Sequence, residues 1–288
     1  MTPHETTPYG PTPASVTRPA GRRPSRAWRT ARITPLAEVL APGRTSATLI
    51  RLCVQILLVV CLWRALYANT TSSAGLDREQ AVTFGVLAVL TMPLRGLDRH
   101  NARDSVILHL HYGTVVFWFL RPVPPARYYL YRALGDQLYG LTWALAGYGG
   151  CLALGVIAPP VSAGAGAVCA VSLLLGQTVL YQLTLIVDLL CFWTLRDMGA
   201  LQILNFLRNL LSGAYAPLWY FPEWFQTLSA LLPFQSTLNT PLSLYIGRIP
   251  LSAAPAQLVA QAFWAAGLAL LSRWLWRRAS ERVVSQGG

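Results

Sequence analysis

The sequence predicts an all-α integral membrane protein. It should have six transmembrane helices, cytoplasmic N and C termini, and a re-entrant or interfacial helix between spans five and six. Three observations predict this. Of 288 residues, 54% are hydrophobic and only 12% charged, about half the charge of a soluble domain. The apolar residues come in long blocks rather than in alternation, as bilayer-spanning segments do. The basic residues, all arginine, flank those blocks unevenly, and such a bias sets membrane orientation.

Residues 1–25 contain Pro3, Pro8, Pro11, Pro13, Pro19 and Pro24 among Thr, Ser and Gly. Such a segment has too little apolar surface to fold, so a disordered cytoplasmic tail is expected. No apolar core follows within signal-peptide distance, so no cleaved leader is expected. Residues 26–46 read as a basic interfacial segment. A six-span membrane domain, 47–276, follows, and 277–288 close the chain as a cytoplasmic tail. The spans are about Ala47–Tyr67, Glu79–Leu94, Gln137–Ile157, a stretch within Ala163–Leu195, Leu201–Trp219 and Ala254–Trp274. The second is short, at about 24 Å of helix.

Arginine placement supports this count. With the N-terminus inside, Arg18 to Arg44, Arg95 to Arg132, Arg196, Arg277, Arg278 and Arg282 are cytoplasmic, and only Arg78 and Arg248 fall in outer loops, with Arg64 near the outer end of the first span. The reverse orientation inverts the bias. The apolar piece Val106–Leu120 is too short to be a seventh span and is flanked by arginines, so it reads as helical structure at the inner membrane surface.

The stretch "GAYAPLWYFPEWFQTLSALLPF", Gly213–Phe234, is apolar but broken by Pro217, Pro222 and Pro233. Pro222 suits the first turn of a short helix, and Pro233 ends it. An aromatic helix over Phe221–Leu232, dipping into the outer leaflet, is expected within a re-entrant segment 217–234. The alternative is an outer loop held to lipid by Trp219, Tyr220 and Trp224.

Several functions are excluded. A Walker A loop needs lysine, and the chain has none, so it does not hydrolyse ATP by that route. H-E-x-x-H and G-x-S-x-G are absent. His109 and His111 are two apart and share no helix face, so they make no metal site. The net charge of +12 reflects membrane topology rather than nucleic-acid binding. The five cysteines lie within apolar blocks with no C-x-x-C, which reads as buried, inert thiols.

In the fifth span, Gln202, Asn205, Arg208, Asn209 and Ser212 recur at three- and four-residue spacing. They form one polar stripe on an apolar helix. In hydrocarbon such a stripe must face protein or a hydrated path. It either lines a translocation route or supplies interhelical hydrogen bonds. Asp188 and Arg208 lie at equal sequence distance from the polar turn "RDMGA" (Arg196–Ala200), so an antiparallel hairpin would bring them to matched depth. Pairing the two charges lowers a cost of at least about 2.5 kcal/mol for each alone. The alternative is that each snorkels to the inner interface. In the third span, Gly147, Gly150 and Gly155 permit close helix packing.

Four pieces in register resemble the type-2 ATP-binding-cassette permeases, in the bacterial branch long listed as a domain of unknown function. They are "LWRALY" (Leu62–Tyr67), "GLDREQAVTF" (Gly75–Phe84), "RDSVILHLHYGTVVFWFLRPV" (Arg103–Val123) and "LSGAYAPLWYFPEW" (Leu211–Trp224) followed by "PFQSTLNTPLSLYIGR" (Pro233–Arg248). The resemblance covers about residues 45–280. It implies the permease subunit of an ATP-driven exporter in a bacterial plasma membrane. The partners it implies are two separate ATPase subunits and a second permease chain, as homodimer or heterodimer, within membrane lipid. ATP and Mg would sit on the partner ATPase, with no cofactor in this chain. The coupling element would lie in 99–132, with Arg103, Asp104, Gly113, Arg121 and Pro122 as its contacts. Pro217, Pro222, Trp224 and Pro233 would belong to the outer gate element. One departure is visible: Gly113 follows His109, His111 and Tyr112, where the family often has an acidic residue.

Two other functions compete. One is a secondary transporter or channel without an ATPase, with Asp188 as its proton carrier. The other is a membrane-embedded enzyme, against which stands the absence of paired carboxylates or metal ligands inside the spans.

Overall fold

A computed structural model describes residues 42–69, 72–73, 75–95, 124–194 and 198–286. Eight helices are described: α1 Pro42–Leu66, α2 Arg78–Arg95, α3 Pro125–Ala153, α4 Ala163–Thr194, α5 Met198–Leu211, α6 Glu223–Leu231, α7 Asn239–Tyr245 and α8 Ala254–Gln286. A two-stranded antiparallel hairpin, β1 Ser72–Ser73 with β2 Leu76–Asp77, joins α1 to α2 and is the one departure from all-α structure among the described residues. Three 3₁₀ turns, Leu218–Tyr220, Gln235–Thr237 and Leu251–Ala253, complete the described elements.

Among the described residues, three segments are long and apolar enough to cross a membrane: Thr45–Leu66, Ala163–Leu190 and Leu251–Glu281. The outward faces of these helices are apolar. On α1, Leu49, Ile50, Val54, Leu57, Leu58 and Leu62 are all exposed, which in a bilayer is the face given to lipid. Cys53 and Cys61 share that exposure, whereas Cys151 and Cys169 are buried. The expectation of uniformly buried thiols therefore fails on α1, because this helix lies at the periphery.

α2 is the centre of the packing. Residues 81–88 are buried without a break, with α1 on one flank and α3 on the other. Glycines let the backbones approach. A Cβ at Gly147 would strike Leu90, and one at Gly140 would strike the Pro93 carbonyl. This is the small-residue packing that membrane helices use. Gly150 does not take part, because nothing lies within 4 Å of where its Cβ would be. A second layer forms where α4 and α8 pack along each other, with α7 against α4.

Helix boundaries follow local chemistry. α3 begins twelve residues before the expected third span, with Pro124 at its N-cap and proline in its first turn. α8 continues to Gln286, through the residues expected as a C-terminal tail. α1 begins at Pro42, inside the segment expected to be interfacial. The tail 1–25 and most of the coupling segment 99–132 lie outside the described residues.

Candidate functional site

The polar stripe sits on α5, but the helix is shorter than expected. It ends at Leu211 rather than near Trp219. Gly213 has φ +79°, and its N–H donates to the Leu210 carbonyl while the Ala214 N–H donates to Asn209 O at 2.9 Å. This is a Schellman stop, which glycine alone makes without a Cβ penalty. Along the stripe, Gln202 and Asn205 are exposed, Arg208 and Asn209 half-buried, and Ser212 buried. Ser212 Oγ donates to the Asn209 carbonyl at 3.3 Å. The Asn209 amide donates to the Tyr215 hydroxyl at 3.5 Å. The apolar side chains of α5 are also uncovered: Ile203, Phe206 and Leu207 are exposed. The helix is anchored at its C-terminal end, where the buried Ser229 of α6 donates to Leu211 O at 2.6 Å.

Asp188 lies on α4 and is 2% exposed. The Tyr129 hydroxyl of α3 donates to its Oδ2 at 3.1 Å. Leu185, Leu189, Phe192, Leu275 and Ala279 close around the pair. Tyr129 was not among the residues singled out from the sequence. The available signal was a tyrosine at the start of a helix, whose hydroxyl needs a partner when buried. Arg208 stands in the last turn of α5, half-buried.

The outer segment is built from short pieces. Pro217 caps the first 3₁₀ turn and Pro222 caps α6, both with extended ψ. Pro222 therefore stands just before the helix, not inside its first turn. The Leu232 backbone is extended (ψ 155°), as a residue before proline prefers, so α6 stops before Pro233. On α6, Trp224 is exposed and Phe225 is buried, stacked on Phe221 at 4.6 Å. Beyond Pro233 comes an element not foreseen as buried: all seven residues of α7 are buried.

Side chains from three helices tie α7 and its neighbours in place. The Tyr245 hydroxyl donates to the Ala158 carbonyl at 3.0 Å and meets the Tyr148 hydroxyl at 3.1 Å. Burial, and then the Tyr148 hydroxyl, push the Tyr245 pKa up, so the phenol stays neutral. Gln80 donates to Ile246 O at 3.2 Å. The Tyr67 and Tyr220 hydroxyls meet at 2.8 Å, Trp219 sets its ring edge-on to Phe84 at 4.7 Å, and the Arg248 guanidinium lies 4.7 Å over Trp219. Deeper, the buried Gln261 of α8 accepts from Ser172 Oγ at 3.0 Å and donates to Ser236 O at 2.8 Å. Ser272 donates to Gln182 Oε1 at 2.6 Å. These glutamines inside apolar runs were the sequence signal for the network, because a polar group in hydrocarbon needs a partner.

The coupling residues Arg103, Asp104, Gly113, Arg121 and Pro122, and the histidines His109 and His111, lie outside the described residues. Compared with known families, residues 52–287 match the model described as ABC-2 family transporter protein. Comparison with curated proteins and with solved structures finds no match.

Proposed function

The chain belongs to the ABC-2 family of transporter proteins, and from that premise we propose that it is the permease subunit of an ATP-driven exporter. Family membership makes it a membrane-embedded permease component. The finer reading has six spans with both ends cytoplasmic, in a bacterial plasma membrane. The observation that carries the permease reading is the extent of the match, which runs from within α1 to the end of α8, and the arginine bias supports the orientation. Separate ATPase subunits bind ATP and Mg and dock on the coupling segment 99–132, through Arg103, Asp104, Gly113, Arg121 and Pro122. This chain holds no cofactor.

A second permease chain completes the path. The exposed polar and apolar side chains of α5 support this, because a membrane helix with an uncovered polar stripe needs protein or water beside it. Gln202, Asn205, Arg208, Asn209 and Ser212 line the route, and Asp188 and Arg208 share one hydrated pocket beside it. The segment holding Pro217, Pro222, Trp224 and Pro233 forms the outer gate.

The test is purification from the native membrane in mild detergent. A co-eluting subunit with a Walker A loop and vanadate-sensitive ATP hydrolysis is the expected result. A pure chain that moves solutes along a proton gradient without ATP would instead support a secondary transporter with Asp188 as proton carrier.

A further inference from the structure

α1 and α3 do not close on each other along their length. Between them lies an apolar groove of about 480 Å³, within the size range of small-molecule sites. Its walls run from Leu49 to Arg64 on α1 and from Trp143 to Leu154 along α3 and just beyond. The α1 wall covers about 22 Å of helix, more than the roughly 15 Å of hydrocarbon in one leaflet. Gly147 and Gly150 hollow the opposite wall, and Gly150 faces open space.

Arg64 is the one charged lining residue. It is exposed and stands two residues before the end of α1 at Leu66. The exposed Tyr220 lies against the buried Trp63 at the same helix end, and an exposed tyrosine there suits headgroup level. An apolar channel of leaflet length, with a guanidinium at headgroup depth, complements one kind of molecule. We propose that this groove binds one anionic phospholipid. An acyl chain lies between α1 and α3, and the phosphate pairs with the Arg64 guanidinium. This goes beyond the transport reading and needs only that the two helices lie in a bilayer.

The test uses the full chain in detergent, titrated with phosphatidylglycerol and, separately, phosphatidylcholine, with native mass spectrometry reading bound lipid. The wild type should retain one phosphatidylglycerol per chain in preference to phosphatidylcholine. Gly150→Leu projects a side chain into the groove from a position where the Cβ meets nothing within 4 Å, and it should weaken binding about tenfold or more. Gly149→Leu is the matched control: its Cβ also meets nothing within 4 Å, and the residue does not line the groove. It should bind as the wild type does. Arg64→Gln, at an exposed position, should keep the lipid but lose the preference for the anionic headgroup. Equal binding by the two glycine variants would overturn the groove as the site. An unchanged headgroup preference in Arg64→Gln would overturn the phosphate contact, whether or not the groove variant folds.

Discussion

The Tyr129 hydroxyl donates to the buried Asp188 carboxylate at 3.1 Å, linking the first turns of α3 to the lower half of α4. Tyr129 lies in the last residues of the segment 99–132 proposed to couple to an ATPase. Asp188 lies within a span. On the proposed topology, the hydrogen bond joins the cytoplasmic entry of α3 to an acidic side chain inside the membrane. Tyr129→Phe should destabilise the purified protein by about 1–3 kcal/mol, seen as a lower thermal unfolding midpoint. Unfolding indistinguishable from wild type would show that the bond contributes nothing.

The proposed Asp188–Arg208 pocket is tested by a charge-swap cycle. Asp188→Arg and Arg208→Asp should each lower expression and transport, since an uncompensated intramembrane charge costs at least about 2.5 kcal/mol. The double swap should recover a good part of the loss. A double variant no better than the worse single variant removes the pairing.

Gly147→Leu should jam α3 against Leu90 of α2 and cost about 1–3 kcal/mol of stability, as overpacking does. Gly149→Leu, two positions on and facing open space, should cost nothing or stabilise the helix. Gel-filtration recovery after graded heating separates them, and matching curves would contradict the α2–α3 contact.

Some of this architecture was legible in the sequence and some was not. The bounds of α2 and α4, and the short helix between Pro222 and Pro233, follow from apolar blocks and proline stops that act locally. The early end of α5 did not emerge, because Gly213 stops the helix while "AYAPLW" keeps the composition as apolar as a span. The burial of α7 did not emerge either. "NTPLSLY" has the polarity of a surface loop, and its place is set by distant partners: the turn before it sits on Gly176, where a Cβ would strike the Ser236 carbonyl. Tyr129 and Gln261 matter through residues 59 and 89 positions away in the chain, and no local pattern encodes such pairings. The stripe on α5 was visible at helical spacing, but the chain by itself does not supply what covers it.

Gln261 bridges α4, α8 and the turn before α7, so its loss should be felt beyond one helix. Gln261→Leu leaves the Ser236 carbonyl without its donor and should cost about 1–3 kcal/mol. Ser172→Ala removes one neutral bond and should cost less, about 0.5–1.5 kcal/mol. Thermal unfolding of the two variants ranks them, and the reverse order would contradict the network.

In the proposed function a separate ATPase docks on segment 99–132 and drives this permease. The most direct measurement compares wild type with an Arg103→Glu, Arg121→Glu double variant, each purified from the native membrane, for co-eluting ATPase and for vanadate-sensitive ATP hydrolysis. The account predicts that the double variant inserts and folds as before but loses most of the ATPase and its hydrolysis. Undiminished ATPase on the double variant would contradict docking at these arginines, and a wild-type preparation with no ATP hydrolysis would contradict the claim itself.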